Sequence, residues 1–84
     1  MGGVTAKVLF FGRLREIVGR GEDTFALTDG APIAAIFAYY AERCPRLVEF
    51  RSSVVASRNR EFVDWDTEVH SGDEVAFLPP VSGG

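Results

Sequence analysis

The sequence predicts a single α+β domain, with a mixed sheet of about five strands, one main helix and a short N-terminal helix. Three features predict it: a strand-like alternation near the start, an apolar stripe at helical spacing in the middle, and three short strand-like segments after it. A chain of 84 residues has room for one domain. Its hydrophobic fraction of 46% is that of an ordinary folded domain. So short a chain buries one modest core, which leaves little room for a deep active site.

The N-terminal third predicts two strands joined by a short helix. Val4–Phe11 alternates between an apolar face and a mixed face, as a strand with one buried face does. The stretch 12-GRLREIVG-19 predicts a short helix, because its apolar residues follow helical spacing and a glycine closes it. Asp23–Leu27 predicts a second strand and completes a hairpin-like pair. The core face of the first strand is predicted to carry Val4, Ala6, Val8 and Phe10.

The main helix is predicted over Pro32–Arg43. Thr28 or Asp29 is the expected N-cap, Pro32 suits the first turn, and Pro45 ends the helix. An apolar residue recurs every three or four positions, which marks the face that packs on the sheet. This stripe comprises Ile33, Ile36, Phe37, Tyr40, Ala41 and Cys44.

Three strands follow the helix, after a linker, LVEFRSS, whose form the pattern does not specify. They are SVVAS, FVDW and Glu74–Leu78, separated by the turns RNRE and TEVHSGD. One helix crossing a mixed sheet after an N-terminal hairpin is the β-grasp, or ubiquitin-like, arrangement, which is one of several α+β options for this order. We expect residues 1–78 to form the β-grasp body and residues 79–84 to form an extended C-terminal tail.

Charge and composition narrow the classes of function. The net charge is −3, from 9 basic and 12 acidic residues, which argues against a nucleic-acid-binding domain and favours a protein partner with a basic patch. The single cysteine forms no disulfide within the chain and fits a reducing compartment. The sequence has no membrane-length apolar run and no signal peptide at its start, so the cytoplasm is the expected location.

The residues whose side chains could act in catalysis or bind a metal are better explained by structural roles. Cys44 lies on the apolar stripe and is expected to pack in the core rather than to react. His70 lies in a turn without the companions that a metal site needs. Asp64 and Asp66 flank Trp65, which predicts two solvated carboxylates opposite a core tryptophan. Neither phosphate-binding glycine motif occurs, and no metal is predicted.

The outward face of the sheet is predicted to carry an apolar patch. Phe11 on the first strand, Phe62 on the fourth and Leu78 on the fifth all point away from the helix if the alternation is assigned correctly. Contiguous exposed apolar area usually marks an interaction site. The alternative is a shift of one residue in the assigned faces, which would bury these side chains instead.

The chain ends in 79-PPVSGG-84, which we interpret as the working part. Pro79 and Pro80 cannot continue a central strand and favour an extended exit. Gly83 and Gly84 have no Cβ, so the end is thin enough to thread into a narrow tunnel on another protein. A carboxylate becomes an acyl donor once adenylation gives it a leaving group, and this chemistry needs no side chain on the carrier. The intervening residues of the tail are Val81 and Ser82.

Two stretches, 8-VLFFGRLREIVG-19 and 64-DWDTEVHSGDEVAFLPPVSGG-84, resemble the MoaD/ThiS family of ubiquitin-like sulfur carriers, in particular the small subunit of molybdopterin synthase. The resemblance implies that Gly84 is adenylated by a ubiquitin-activating-like (MoeB-like) enzyme and converted to a thiocarboxylate. It implies that the tail, residues 79–84, then enters the large (MoaE-like) subunit of a heterotetramer and donates sulfur to a pterin precursor. The family's hydrophobic docking positions fall on Phe11, Phe62 and Leu78.

The same resemblance implies that the chain binds no cofactor, that ATP is used by the activating enzyme, and that the carrier has no catalytic side chains of its own. Two departures concern turn geometry: ASRNRE around Ala56–Arg60 replaces a Val-Asn turn, and Pro32 stands where a capping Thr is common. Two alternatives stay open. One is a carrier for another acceptor, such as thiamin thiazole, tRNA, cysteine synthesis or protein conjugation, although FGRLRE favours molybdopterin. The other is a non-catalytic ubiquitin-like interaction module.

Overall fold

A computed structural model describes residues 4–79 of the chain. The predicted strands and both predicted helices are present, with boundaries that differ by a few residues from the pattern. A short 3₁₀ helix and a two-stranded pair add to them. In chain order the elements are β1 (Val4–Phe10), α1 (Gly12–Val18), β2 (Glu22–Leu27), β3 (Ala31–Pro32), α2 (Ile33–Arg43), a 3₁₀ helix (Pro45–Phe50), β4 (Val55–Arg58), β5 (Glu61–Val63), β6 (Glu68–Val69) and β7 (Glu74–Leu78).

Five of the strands form one mixed sheet in the order β2-β1-β7-β4-β5. β1 and β7 lie side by side in its centre and run parallel, whereas the other pairs are antiparallel. β3 and β6 make a separate two-stranded pair. A mixed five-stranded sheet packed on one main helix confirms the predicted α+β class and the β-grasp arrangement.

The core lies between the sheet and α2, and Phe77 on the central strand β7 lies at its middle. Its ring stacks with Phe10 at 5.7 Å between centroids and meets Phe37 edge-on at 5.3 Å. Burying each large apolar side chain contributes about 1.5–3 kcal/mol. The predicted inward face of β1 is confirmed, since its central residues are buried. The largest fully buried side chains are Phe10, Phe77, Leu14, Ile33, Ile36, Leu47, Val8, Val69 and Val75.

The predicted capping of α2 by Thr28 or Asp29 is wrong. The helix begins at Ile33, and its N-cap is Pro32, whose side chain makes no capping hydrogen bond. Strand β3 separates the two expected caps from the first turn, so neither side chain is adjacent to it. The stripe prediction is confirmed, because the residues that α2 buries are all members of it.

Main-chain carbonyls from the segment before β6 replace the missing cap. The N–H of Ile33 donates to the carbonyl of Thr67 at 3.0 Å, and the N–H of Ala34 donates to the carbonyl of Trp65 at 2.9 Å. These bonds satisfy two of the free donors that a helix N-terminus leaves. Trp65 was predicted to lie within the fourth strand, but β5 ends at Val63 and Trp65 lies in the turn that follows.

Helix α1 ends as the sequence predicts. Gly19 has φ +90°, and its N–H donates to the carbonyl of Arg15 at 2.9 Å. This left-handed residue is the usual C-terminal stop of a helix. Leu14 is the buried residue of α1, and it packs into the main core.

A polar contact ties the edge strand β2 to α2. The Tyr40 hydroxyl donates to a carboxylate oxygen of Asp23 at 2.8 Å, and the N–H of Thr24 and the Arg20 side chain donate to the other oxygen. Burial raises the pKa of Tyr40, and the Asp23 carboxylate raises it further. Burial opposes ionisation of Asp23, but the hydrogen bonds from Tyr40 and Thr24 outweigh it and lower the pKa of Asp23 below its usual value.

A second polar contact holds the β4–β5 turn. Asn59 and Arg60 have φ of +52° and +72°, the two left-handed residues of a tight hairpin turn. The Asn59 side chain donates to Asp73 at 3.1 Å and accepts from the N–H of Glu74 at 2.9 Å. Burial opposes ionisation of Asp73, but hydrogen bonds from the His70 N–H and from Asn59 lower its pKa. The turn is therefore fastened to the loop before β7.

The Asp23–Tyr40 bond predicts a pH-dependent loss of stability in Tyr40→Phe. Because the folded pKa of Asp23 is lowered, its contribution is complete above the unfolded pKa of about 3.9 and is lost as pH falls through the lower folded pKa. We expect a loss of about 1–2 kcal/mol at pH 7, and a smaller one at acid pH, in urea unfolding. Tyr39→Phe, at the neighbouring exposed tyrosine, is the control. Equal losses at both pH values would contradict the assignment.

Asn59 predicts a graded response to substitution. Asn59→Gly keeps the left-handed backbone and loses only the side-chain hydrogen bonds, so we expect a cost of about 1 kcal/mol. Asn59→Ala also strains the backbone and should cost about 1 kcal/mol more. Thermal and denaturant unfolding of both variants measures the difference. If the two variants were equally stable, the left-handed conformation would not be what the site demands.

Candidate functional site

The pairing register brings an outward row of side chains together across four strands. Leu9 lies opposite Ala76, Ala76 lies opposite Ser57, and Ser57 lies opposite Phe62. Because alternate residues of each strand point to opposite faces, all four lie on the side away from α2. The strand pairing that buries the core on one face of the sheet therefore also aligns this row on the other face.

Phe11 and Leu78 extend this row at the end of the central strands. Phe11 is 45% exposed and Phe62 is 74% exposed. Together with the row they line an open concavity of about 420 Å³. We call this concavity the apolar face. Its lining residues are Leu9, Phe11, Ser57, Arg60, Phe62, Glu74, Ala76 and Leu78.

The structure therefore places the three predicted docking residues, Phe11, Phe62 and Leu78, in one concavity. The alternative, a shift of one residue in the faces, does not occur, because the buried residues of β1 are Ala6, Val8 and Phe10. Exposed aromatic side chains contribute little to folding stability and are available to a partner.

Charges lie at the rim of the apolar face. Arg60 and Glu74 line the concavity; Arg60 belongs to the β4–β5 turn, and the N–H of Glu74 donates to the Asn59 side chain of that turn. Lys7 and Glu22 approach to 4.0 Å on the exposed surface, where such a pair contributes little stability. The rim is mixed in sign, so a partner would meet both a cation and an anion around an apolar centre.

The base of the predicted tail lies beside the apolar face. Leu78 is the last residue of β7, and the half-buried Pro79 follows it. A Cβ built on Gly12 would lie 2.9 Å from the Cγ of Pro79, so the two residues are in direct contact. The remaining predicted site residues lie outside the described residues: Pro80, Val81, Ser82, Gly83 and Gly84.

The other residues singled out in the sequence do not gather into a site. Cys44 is half-buried and packs against the core. His70 is exposed, with its ring nitrogens 3.1 Å from Asp29 and 3.5 Å from Glu68. Asp64 and Asp66 are exposed. Within residues 4–79 no group of three or more potential ligands could hold a metal ion.

Trp65 packs inward as predicted, between two rings of the core. It stacks with Phe77 at 5.8 Å and meets Phe37 at 5.3 Å. The Arg51 guanidinium covers its outer side at 3.7 Å from the ring centroid. The sequence pattern did not reveal this stack, because Arg51 lies in a segment without periodicity.

Sequence reasoning also missed Arg60 as a lining residue. The available signal was Asn59, since asparagine favours the left-handed conformation that a two-residue hairpin turn requires. Among the described helices none is long and apolar enough to cross a membrane.

Comparison with known proteins shows which family the sequence matches. A sequence model of the ThiS family matches residues 8–84. A Chlamydomonas reinhardtii protein named molybdopterin synthase sulfur carrier subunit is 41% identical over 80 residues, covering 93% of this chain and 96% of that protein. The protein of the same name from Escherichia coli K12 is 38% identical, covering 93% and 98%.

A solved structure supports the same relationship. A molybdopterin converting factor subunit 1 from Pyrococcus furiosus superposes with a TM-score of 0.76 at 29% identity, covering 93% of this chain and 99% of that one. The resemblance predicted from the two sequence stretches is confirmed. With a match over nearly its whole length and relatives above 30% identity, the chain belongs to the ThiS family of ubiquitin-like sulfur carriers.

Proposed function

We propose that this protein is the sulfur carrier subunit of a molybdopterin synthase, and that its C-terminal Gly84 carries the sulfur. One observation carries the proposal: Phe11, Phe62 and Leu78 of the apolar face lie directly beside Pro79, where the predicted tail that ends in Gly-Gly begins. The names of the relatives at 41% and 38% identity support the choice of pathway.

The proposed chemistry uses the chain's own carboxylate. A Gly84 oxygen attacks the α-phosphorus of ATP and pyrophosphate leaves, which gives an acyl adenylate. The terminal sulfur of a persulfide on the sulfur donor then attacks the acyl carbon and AMP leaves, which gives an acyl disulfide. A thiol attacks the donor-side sulfur of this S–S bond, so the thiocarboxylate leaves and the donor is left as a mixed disulfide with that thiol. The thiocarboxylate sulfur bonds to a carbon of the pterin precursor as an oxygen substituent leaves that carbon. Hydrolysis of the resulting thioester then breaks its acyl C–S bond, which restores the Gly84 carboxylate and leaves the sulfur on the pterin.

In this scheme the catalytic sites belong to the partner proteins. The activating enzyme, of the ubiquitin-activating (MoeB-like) type, binds the ATP, and the large (MoaE-like) subunit supplies the site where sulfur is transferred. The carrier contributes the donor and the surface that positions it. We expect two large and two small subunits in the complex, and we place the reaction in the cytoplasm, where ATP and reduced thiols are plentiful.

The apolar face is the proposed docking surface for these partners. An aromatic side chain such as Phe62 can insert into a pocket on the partner and supply much of the binding energy. The mixed rim of Arg60 and Glu74 restricts the partner to one with charges of both signs at matching positions. Docking there brings Pro79, and the chain that follows it, to the partner's site.

Removing the donor should abolish the reaction. In reconstitution with the activating enzyme, a sulfur source, the large subunit and the pterin precursor, the chain lacking Gly84 should give no product above background. Cys44→Ala is the control and should retain activity, because Cys44 packs against the core and is not used in the chemistry. Product formation by the shortened chain would refute the proposal.

The same experiment separates the alternative acceptors. Intact-mass measurement of the full chain after activation should show one oxygen replaced by sulfur. If the thiocarboxylate forms but the large subunit yields no product, the carrier serves another acceptor, such as a thiazole, a tRNA base, cysteine synthesis or a protein amine. If no adenylate or thiocarboxylate forms, a passive interaction module is the better description.

Truncation of the apolar face should weaken docking without loss of fold. Phe62→Ala is expected to raise the Kd for the large subunit about 10- to 100-fold, since truncating a central aromatic residue typically costs about 2 kcal/mol or more. The matched control is Val48→Ala, because Val48 is 62% exposed but lies on the 3₁₀ helix, outside the apolar face. Calorimetry and thermal unfolding measure both effects. Equal Kd values for the two variants would exclude this face as the docking surface.

A further inference from the structure

Pro79, the first residue of the predicted tail, packs against a glycine that is far away in the sequence. Pro79 has no N–H, so it cannot extend the β-ladder, and its direction depends on packing rather than on a backbone hydrogen bond. The residue it packs against is Gly12: a Cβ there would lie 2.9 Å from Cγ and 3.6 Å from Cδ of the Pro79 ring. Carbon atoms in ordinary contact lie about 3.5–4.0 Å apart. A methyl group on Gly12 would therefore displace the ring.

The backbone holds Gly12 firmly in this place. Phe11 donates its N–H to the carbonyl of Phe77 at 3.2 Å, which adds one bond beyond the parallel β1–β7 ladder. The Phe11 carbonyl accepts from the N–H of Leu14 at 3.1 Å, and Leu14 is buried in the core. Gly12 lies between these anchored neighbours with φ +56°, so it cannot readily move away from an added side chain.

We propose that Gly12 is a positioning residue, which sets the direction in which the chain leaves the domain at Pro79 relative to the apolar face. This inference rests on the proposed function, because direction matters only if Gly84 must reach a partner's site. Phe11, which lines the apolar face, immediately precedes Gly12. A change of angle at Pro79 changes the direction in which the following chain leaves the domain, and with it the approach of Gly84 to a partner's site.

The chain contains its own control for the effect of backbone strain. Gly19, at the other end of α1, has φ +90°, and apart from its chain neighbours and the adjoining helix backbone no atom lies within 4 Å of a Cβ placed on it. Gly19→Ala thus imposes a comparable or greater conformational cost without touching Pro79. Gly12→Ala imposes that cost together with the clash, so the difference between the two variants reports the contact.

The test measures ATP–pyrophosphate exchange with the activating enzyme, at varied carrier concentration. We expect Gly12→Ala and Gly19→Ala to lower Tm to a similar degree, while only Gly12→Ala lowers kcat, by about 10-fold or more, because misplacing a reacting group by about 1 Å can cost two orders of magnitude. KM should stay within about 2-fold, because the apolar face is intact. Pro79→Ala in the Gly12→Ala background should restore kcat to the level of Pro79→Ala alone.

Three kinetic outcomes would overturn the inference: equal kcat for the two alanine variants, a rise in KM without a fall in kcat, or no rescue by Pro79→Ala. NMR tests the same contact without the enzyme. The wild type should show a cross-relaxation peak between the Gly12 Hα and Pro79 Hγ protons, and the dipolar coupling of the Pro79 Cα–Hα bond should change in Gly12→Ala but not in Gly19→Ala. Absence of either NMR result overturns the positioning role, whereas failure of the wild type to be adenylated refutes only the proposed function.

Discussion

The parallel pairing of β1 with β7 is the interaction on which the rest of the structure depends. It joins the first strand to the last described one, with Phe10 opposite Phe77 in the core. Parallel neighbours cannot be joined by a tight turn, so the intervening chain must cross over, and α2 lies in that crossover. The same pairing places Phe11 beside the end of β7, which is why the proposed docking residues are adjacent to the base of the predicted tail.

The alternation of side chains along β7 supplies both the buried core and part of the apolar face. On β7, Phe77 and Val75 are buried against α2, whereas Leu78 points to the apolar face. Because the side-chain period of a strand is two residues, a shift by one residue would exchange the two faces and expose the core. The large energetic gain from burying Phe77 therefore fixes the register, and the register in turn brings Leu78 together with Phe62.

Periodicity in the sequence predicted which faces of the helix and strands are buried. Features that depend on contacts between residues distant in the sequence were not predicted. The stripe of α2 and the alternation of the strands were sufficient for the layers and the apolar face, but the buried Leu47 lies on a 3₁₀ helix that showed no such pattern. The cap of α2 was mispredicted because carbonyls of Trp65 and Thr67, far away along the chain, satisfy its first N–H groups. The pair β3–β6 spans two residues on each side, too few to show a period. The contact of Gly12 with Pro79 has no local signal at all, since only the fold brings them together.

The arrangement separates the residues that stabilise the domain from those proposed to choose its partner. Phe62 is mostly exposed and Arg60 belongs to a surface turn, so substitution at either position leaves the buried aromatic cluster around Phe77 intact. A carrier that ends in Gly-Gly offers a partner few side chains by which to recognise its tail. In the proposed function, the apolar face and its charged rim are what discriminate among acceptors. It follows that related carriers can share a core and a C-terminus and still serve different enzymes, by changing only outward residues of the same strands.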